Sequence, residues 1–242
     1  MTAPVFLAPR ERLGHDVVVL DGAEGRHAAV VRRVQVGEAV TLVDGAGLCV
    51  EGSVTEVHRD RVLVAAHARR TDPEPTPRLV VVQALAKGDR GERAVEAMTE
   101  VGVDEIVPWA ASRSIAKWRD SKPLEKWRTT AREAAKQSRR SWFPTVTDAA
   151  DTNAVAARLS TAGLAAVCHE SAEESLADVA VPNVGEVVLV IGPEGSITDD
   201  ELAAFTAAGG PPYRMGPTVL RTSTAGVVAA SILLSKTPRW RS

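Results

Sequence analysis

Val187-Val188-Leu189-Val190-Ile191-Gly192-Pro193-Glu194-Gly195-Ser196 is a continuous apolar run that breaks into a glycine- and proline-bearing loop. It reads as a strand buried on both faces, a tight loop and then a helix. A second segment follows, Met215-Gly216-Pro217-Thr218-Val219-Leu220-Arg221-Thr222-Ser223-Thr224-Ala225. It reads as a short strand end, a loop and another helix start. Two such loops close in sequence can build one small-molecule site from backbone groups, because glycine lets a ligand approach the main chain. The first loop alone fits an ordinary strand-to-helix turn equally well. It has neither the lysine of a P-loop nor the GxGxxG of a dinucleotide fold. Together the loops point to an enzyme rather than a plain binding domain.

Working outward, strands and helices alternate. Residues 79–85 form an apolar run, followed by a helix from about Arg90 with Ala94, Val95, Met98 and Val101 on one face. Residues 105–109 and 164–168 are further buried strands, and 124–139 is a long helix. Thr198 and Glu201 have capping-box spacing, and Thr222 or Ser223 can cap the last helix. Repeated βα units predict a mostly parallel sheet covered by helices. Residues 1 to about 70 are instead β-rich. Residues 39–50 read as a hairpin around Asp44-Gly45-Ala46-Gly47. Asp21 and Glu24 have the spacing of a capping box for a helix whose apolar face is Val30, Val31 and Val34. Short strands with one helix predict a small closed β-barrel. Pro73, Pro75 and Pro77 make a stiff connector, which puts the boundary between 1–72 and 73–242.

Composition narrows the partners. Of 242 residues, 45% are apolar, an ordinary globular share, and no apolar run approaches the roughly 20 residues that span a bilayer. The N-terminus lacks a basic region followed by an apolar core, so no signal peptide is expected. Cys49 and Cys168 read as buried reduced thiols, and no CxxC or HxxxH suggests a metal. The net charge of −2 hides a basic block. Residues 113–140 carry ten Lys/Arg against three Asp/Glu, and 143–212 carry one Arg against eleven acids. Such a block is the footprint of a polyanion site and also of a solvated charged surface. Arg128, Arg132, Lys136 and Arg139 form one stripe on the long helix, which continues into Arg140 and Trp142. The continuation favours RNA, because arginine binds phosphate and tryptophan stacks on bases; Trp142 fits the core equally well. Arg26, Arg32 and Arg33, beside His27, form a second basic cluster. Arg221, ahead of a hydroxyl-rich helix start, reads either as a surface residue or as a cation set where negative charge develops.

These segments resemble the RsmE family of ribosomal RNA methyltransferases, in the SPOUT superfamily. The likeness runs over nearly the whole chain. It includes His27 to Arg33, Lys87-Gly88, Glu100-Val101-Gly102-Val103, and Gln137-Ser138 with Arg140 and Pro144. The resemblance implies an N-terminal PUA-like β-barrel and a C-terminal α/β domain with a deep trefoil knot over roughly 164–235. It implies S-adenosylmethionine bound by Ile191, Gly192 and Gly195 on one side and by Met215, Gly216, Leu220 and Thr222 on the other. It also implies a cytoplasmic homodimer that forms 3-methyluridine in 16S ribosomal RNA of the small subunit. Arg221 is then the candidate to stabilise charge on the base. Glu194 is the nearest candidate base, or a structural part of its loop. The donor is already activated, so no metal is expected. The chain departs from the family at Ser196 and Arg139, where glycine is common, at Ser223, where glutamate is common, and at Trp142, where arginine is common. Two other readings share these residues. One is a knotted methyltransferase acting on a ribose 2′-hydroxyl or a transfer-RNA base, against which the barrel argues mildly. The other is a non-catalytic RNA-binding assembly factor, against which the intact Gly192, Gly195, Leu220 and Arg221 argue.

Overall fold

The computed structural model describes residues 3–241. The chain forms two compact units, one comprising residues up to 74 with 135–143, the other 75–134 with 144 onward. Residues 135–143, which the sequence reading left in the C-terminal domain, thus group with the first unit.

In the first unit, β1 (Val5–Leu7), β2 (Val17–Leu20), α1 (Gly22–Arg26), β3 (Ala39–Val43), β4 (Leu48–Val57) and β5 (Val62–Thr71) follow in chain order. The strands form one sheet ordered β1-β3-β4-β5-β2, with β1 parallel to β3 and the other pairs antiparallel. Its edges β1 and β2 are not paired with each other, so among the described residues the sheet is an open half-barrel, not the closed barrel expected. Register shifts at Glu51/Gly52 and Val54/Glu56 bend the long β4–β5 ribbon. The expected capping box at α1 does not form. Asp21 makes no side-chain cap. The Glu24 carboxylate instead accepts from the Leu7 amide at 3.2 Å and from Lys136 Nζ at 2.8 Å. After α1 the chain widens into a π turn over His27–Val31. The extra residue per turn rotates Val30 and Val31 outward, to 50% and 68% exposure, while Ala28 and Val34 are buried.

The second unit is a six-stranded, wholly parallel sheet with helices on both faces. Its strands are β6 (Arg78–Ala84), β7 (Glu105–Trp109), β8 (Thr145–Val146), β9 (Leu164–Cys168), β10 (Glu186–Ile191) and β11 (Pro212–Tyr213). Its helices are α2 (Arg90–Val101), α3 (Lys122–Gln137), α4 (Thr152–Leu159), α5 (Asp199–Ala207) and α6 (Thr222–Leu234). The order is β11-β9-β10-β6-β7-β8. Leu79, Val81 and Leu189 pack with α2, α3 and α6, whereas Val80, Val82 and Val190 pack with α4 and α5. Both faces being covered is why these strands read as unbroken apolar runs. Helix α4, absent from the sequence reading, is short; Asp151 caps it by accepting from the Ala154 amide at 2.8 Å. At the strands' N-terminal ends the Arg158 guanidinium makes two 2.6 Å bonds to Glu186 and one 3.0 Å contact with Glu105, which also binds Arg78 at 2.7 Å. The Glu186 bonds above all raise the Arg158 pKa. This network fixes the edge of the sheet opposite the loops discussed next.

Helix α3 ends in a left-handed turn. Arg139 has φ +59°, and the Arg140 amide reaches back to the Ala135 carbonyl at 2.9 Å, the pattern of a Schellman cap. Glycine adopts this conformation without cost and arginine does not. Replacing Arg139 with Gly is expected to raise unfolding stability by about 1 kcal/mol, read as a higher urea midpoint at unchanged slope.

Candidate active site

All strands of the parallel sheet run the same way, so the loops after β6, β7, β9 and β10 meet at one edge, where open α/β sheets place ligands. There the two segments quoted at the outset line one cavity of about 400 Å³. Ile191, Gly192, Pro193, Glu194 and Ser196 form one wall, residues 214–222 another, and Cys168, His169 and Glu170 at the end of β9 a third. The volume suits a small-molecule ligand.

Thr222 holds these walls together. Its buried hydroxyl donates to the Gly192 carbonyl at 2.5 Å and accepts from Gln83 Nε2 at 3.3 Å. Gln83 is fully buried near the end of β6. One hydroxyl therefore links β6, the exit of β10 and the start of α6. It is not the helix cap expected. The N-cap position is Arg221, and no side chain caps it. Replacing Thr222 with Val keeps the shape and leaves the Gly192 carbonyl and the Gln83 amide without this partner. A loss of about 1–3 kcal/mol of stability is expected, measurable by urea denaturation.

Of the residues singled out beforehand, Ile191, Gly192, Glu194, Met215, Gly216, Leu220, Arg221 and Thr222 all line the cavity. Gly195 does not. A Cβ there would lie 3.0 Å from Arg113 Cβ and 3.1 Å from the Arg113 carbonyl, so this glycine admits the loop after β7 rather than a ligand. Gly216, at φ +151°, faces open space, which leaves its backbone accessible. Ser196 sits at φ +62°, a left-handed conformation that glycine adopts more readily. Its hydroxyl donates to Glu170 Oε1 at 3.0 Å and lies 3.4 Å from His169 Nε2. His169, Glu170 and Cys168 were missed because nothing in their spacing marks them; only the end of a buried strand could have. Burial pushes the Cys168 thiol up to about 12, so it is an inert wall residue.

The charged lining is uneven. Glu194 Oε1 accepts from the Lys87 amide at 3.3 Å and from Arg90 Nη1 at 3.1 Å. Burial pulls its carboxyl upward, but its own amide, the Lys87 amide and Arg90 outweigh that and hold it below the usual carboxylate range. Glu170 is also held low, chiefly by its own backbone amide, with Ser196 adding. Arg221 is exposed and has no side-chain partner among the described residues.

Behind the cavity, Glu201 joins three segments. It completes the expected capping box with Thr198, accepts from the Ser112 amide at 2.8 Å and from the Thr152 hydroxyl at 3.2 Å. Burial raises its pKa, but the Ser112 and Thr198 bonds outweigh that and lower it below 4.5. A lowered folded pKa means the stability it contributes is present above pH 4.5 and is lost as pH falls through the folded value. Glu201→Gln is therefore expected to cost about 1–3 kcal/mol at neutral pH, with the gap to the unaltered protein closing in acid, as urea titrations between pH 7 and 3 will read.

The basic residues expected to meet RNA fare differently. Arg26, just before the π turn, and Arg32 and Arg33, just after it, are exposed, and Arg26 shares a surface hollow with Arg59. Arg132 is exposed and lies 3.6 Å from Glu133. Arg128 is tied to Glu125, Asp148 and the Val146 carbonyl. Lys136 corrects the expectation outright: it is 7% exposed and engaged with Glu24, so it holds the first unit together instead of facing phosphate. Arg139 is exposed and Arg140 half-buried. Trp142 is structural as well, its Nε1 donating to the Asp72 carbonyl at 3.0 Å. Among the described residues no cluster of His, Cys, Asp and Glu could hold a metal, and no helix is long and apolar enough to cross a membrane.

Comparison with known proteins agrees with this geometry. Residues 72–234 match the family model of an RNA methyltransferase domain, and residues 20–65 that of an RNA methyltransferase PUA domain. The chain is 43% identical over 231 residues to ribosomal RNA small subunit methyltransferase E of Mycobacterium tuberculosis, covering 93% of this chain and 88% of that protein. It is 27% identical over 229 residues to the Bacillus subtilis enzyme of the same name, covering 90% of each. The crystal structure of the Neisseria gonorrhoeae enzyme bound to S-adenosylmethionine superposes with a TM-score of 0.86 at 26% identity, covering 97% of this chain and 98% of that one. By fold, loops and sequence together, the chain belongs to the RNA methyltransferase family that includes ribosomal RNA small subunit methyltransferase E, the RsmE family.

Proposed function

We propose that this protein uses S-adenosylmethionine to methylate N3 of a specific uridine in 16S ribosomal RNA of the small subunit, acting in the cytoplasm as a homodimer. The observation that carries this reading is the cavity, in which two glycine-bearing loops and two arginines without a side-chain partner among the described residues, Arg214 and Arg221, meet at the carboxyl edge of the sheet. Its residues fit the donor. Gly216 leaves a bare backbone, Ile191, Met215, Leu220 and Ala225 supply apolar wall, and Glu170 and Ser196 supply polar groups. Gly195, by contrast, is better assigned to packing than to donor contact. The proposed architecture has an RNA-binding PUA-like domain over 1–72 and a methyltransferase domain over 73–242, knotted over roughly 164–235. The junction of β10 and α6 at one hydroxyl is compatible with such a knot. Helix α6 supports the dimer: half-buried Val228 extends its apolar surface beyond the residues packed in the core, Val227 and Ile232 among them. Arg26, Arg32, Arg33, Arg132, Arg139 and Arg140 remain candidates for RNA contact; Lys136 does not.

When bound, the donor supplies an activated methyl group on a sulfonium. The remaining work falls to this chain. Cavity walls position the two partners. As the N3 proton leaves, negative charge spreads over the uracil carbonyl oxygens, and the Arg221 guanidinium stabilises it. Glu194, ionised and engaged by Arg90 and the Lys87 amide, holds its loop in shape and is a poor proton acceptor. The test is methyl transfer from labelled S-adenosylmethionine to small subunits that lack the modification, followed by nucleoside analysis of the RNA. Labelled 3-methyluridine is expected. A different methylated nucleoside would sink the target assignment, and no label from folded protein would favour a non-catalytic assembly factor. Arg221→Ala is expected to lower kcat about 100–1,000-fold while leaving donor affinity, read by calorimetry, within a few-fold. Equal loss of both would make Arg221 a pocket-building residue.

A further inference from the structure

We propose that the loop of residues 110–121, between β7 and α3, is the surface over which the RNA backbone reaches the cavity, with Arg113, Lys117 and Arg119 binding its phosphates. This rests on the RNA-methylating reading above and adds residues that the charge pattern did not separate from the rest of the basic block. The loop leaves the same sheet edge as the cavity loops. It is held against them at defined points. The Ser112 amide donates to Glu201 at 2.8 Å, Arg113 Nη1 reaches the Gly195 carbonyl at 3.4 Å, and Gly195 lacks the Cβ that would push Arg113 away. Farther along, Trp118 packs edge-on against Trp127 of α3, ring centroids 5.0 Å apart. The surface is therefore pre-ordered, which lowers the entropic cost of binding.

Charge pairing separates this loop from α3 beyond its first residue, Lys122. Along the helix Lys126 pairs with Glu92 at 2.9 Å, Arg128 with Glu125 and Asp148, and Lys136 with Glu24. Arg113, Lys117 and Arg119 are exposed and have no carboxylate partner among the described residues. Phosphate can engage such cations without first displacing a carboxylate, and the released counterions supply affinity. Ile115, 61% exposed between them, offers an apolar contact for an unstacked base. Phosphates fit better than an acidic protein face because the cations are strung along one loop that leaves the cavity edge, with a single exposed apolar side chain, Ile115, among them.

The test compares the unaltered protein with the triple variant Arg113→Gln, Lys117→Gln, Arg119→Gln and with the control Lys126→Gln. Three quantities are read for each: binding to deproteinised 16S RNA lacking the modification as a function of salt, donor affinity by calorimetry, and steady-state methyl transfer to that RNA and to small subunits lacking the modification. The triple variant is expected to raise KM for RNA about 10–100-fold with kcat within a few-fold. It should also lower the salt exponent of RNA binding by about 2–3, since each phosphate contact contributes about 0.7–0.9. Donor affinity should be unchanged, and Lys126→Gln should behave as the unaltered protein. An unchanged KM and salt exponent in a folded triple variant overturns the loop assignment and leaves the enzymatic reading intact. A defect seen with assembled subunits but not with naked RNA assigns the loop to a ribosomal protein, which also overturns it. Failure of the unaltered protein to bind or methylate any RNA instead removes the reading on which this inference stands.

Discussion

The hydroxyl of Thr222 sets the shape of the site. It binds the carbonyl where β10 ends and receives an amide from Gln83 on β6, so the entrance of α6 is locked to two strands far away in sequence. All three groups are buried or nearly so, and burial makes such a bond costly to leave unmade. Once α6 starts there, Arg221 immediately before it must sit at the cavity, and the chain from Met215 to Leu220 must form its second wall. The position of the charged group follows from a hydrogen bond one residue away.

Much of this was legible in the sequence for a simple reason. Strands buried on both faces must be apolar throughout, so β6, β7, β9 and β10 announced themselves, and helices such as α2 and α3 carry a clear 3.6-residue face. The Thr198–Glu201 capping box formed as its spacing predicts, whereas the Asp21–Glu24 spacing did not. Both spacings are local, but Glu24 has better partners from distant segments, Leu7 and Lys136, and tertiary contacts prevailed. The same override explains Val30 and Val31. Their periodicity assumed an α-helix, and a π turn moves them outward. The half-barrel was misread as closed because closure depends on whether the first and last strands in space meet, a fact carried by no local pattern.

The cavity shows the same division. Its glycines could be recognised, but not which of them serve a ligand. Gly216 leaves open space at its backbone, whereas Gly195 makes room for Arg113, and only the spatial neighbour distinguishes them. Charge behaves alike. A run of ten cations in a sequence says nothing of pairing. In the folded chain Lys136 is spent on Glu24 and Arg128 on Glu125 and Asp148, while the cations of the loop after β7 are not spent. Pairing, not density, decides which part of a basic block is available to a polyanion.

The electrostatics of the lining also bear on how the proposed reaction runs. Glu170 and Glu194 are both held below the ordinary carboxylate range, the first chiefly by its own amide, the second by donors that overcome its burial. A carboxylate stabilised as an anion is a correspondingly weak base. Neither is tuned upward, as a carboxylate built to accept a proton near neutral pH would be. What the cavity does hold is two exposed arginines, Arg214 and Arg221, with no side-chain partner among the described residues. On the proposed reading, Arg221 favours the deprotonated base and the proton passes to water, which relieves the chain of any need for a dedicated base.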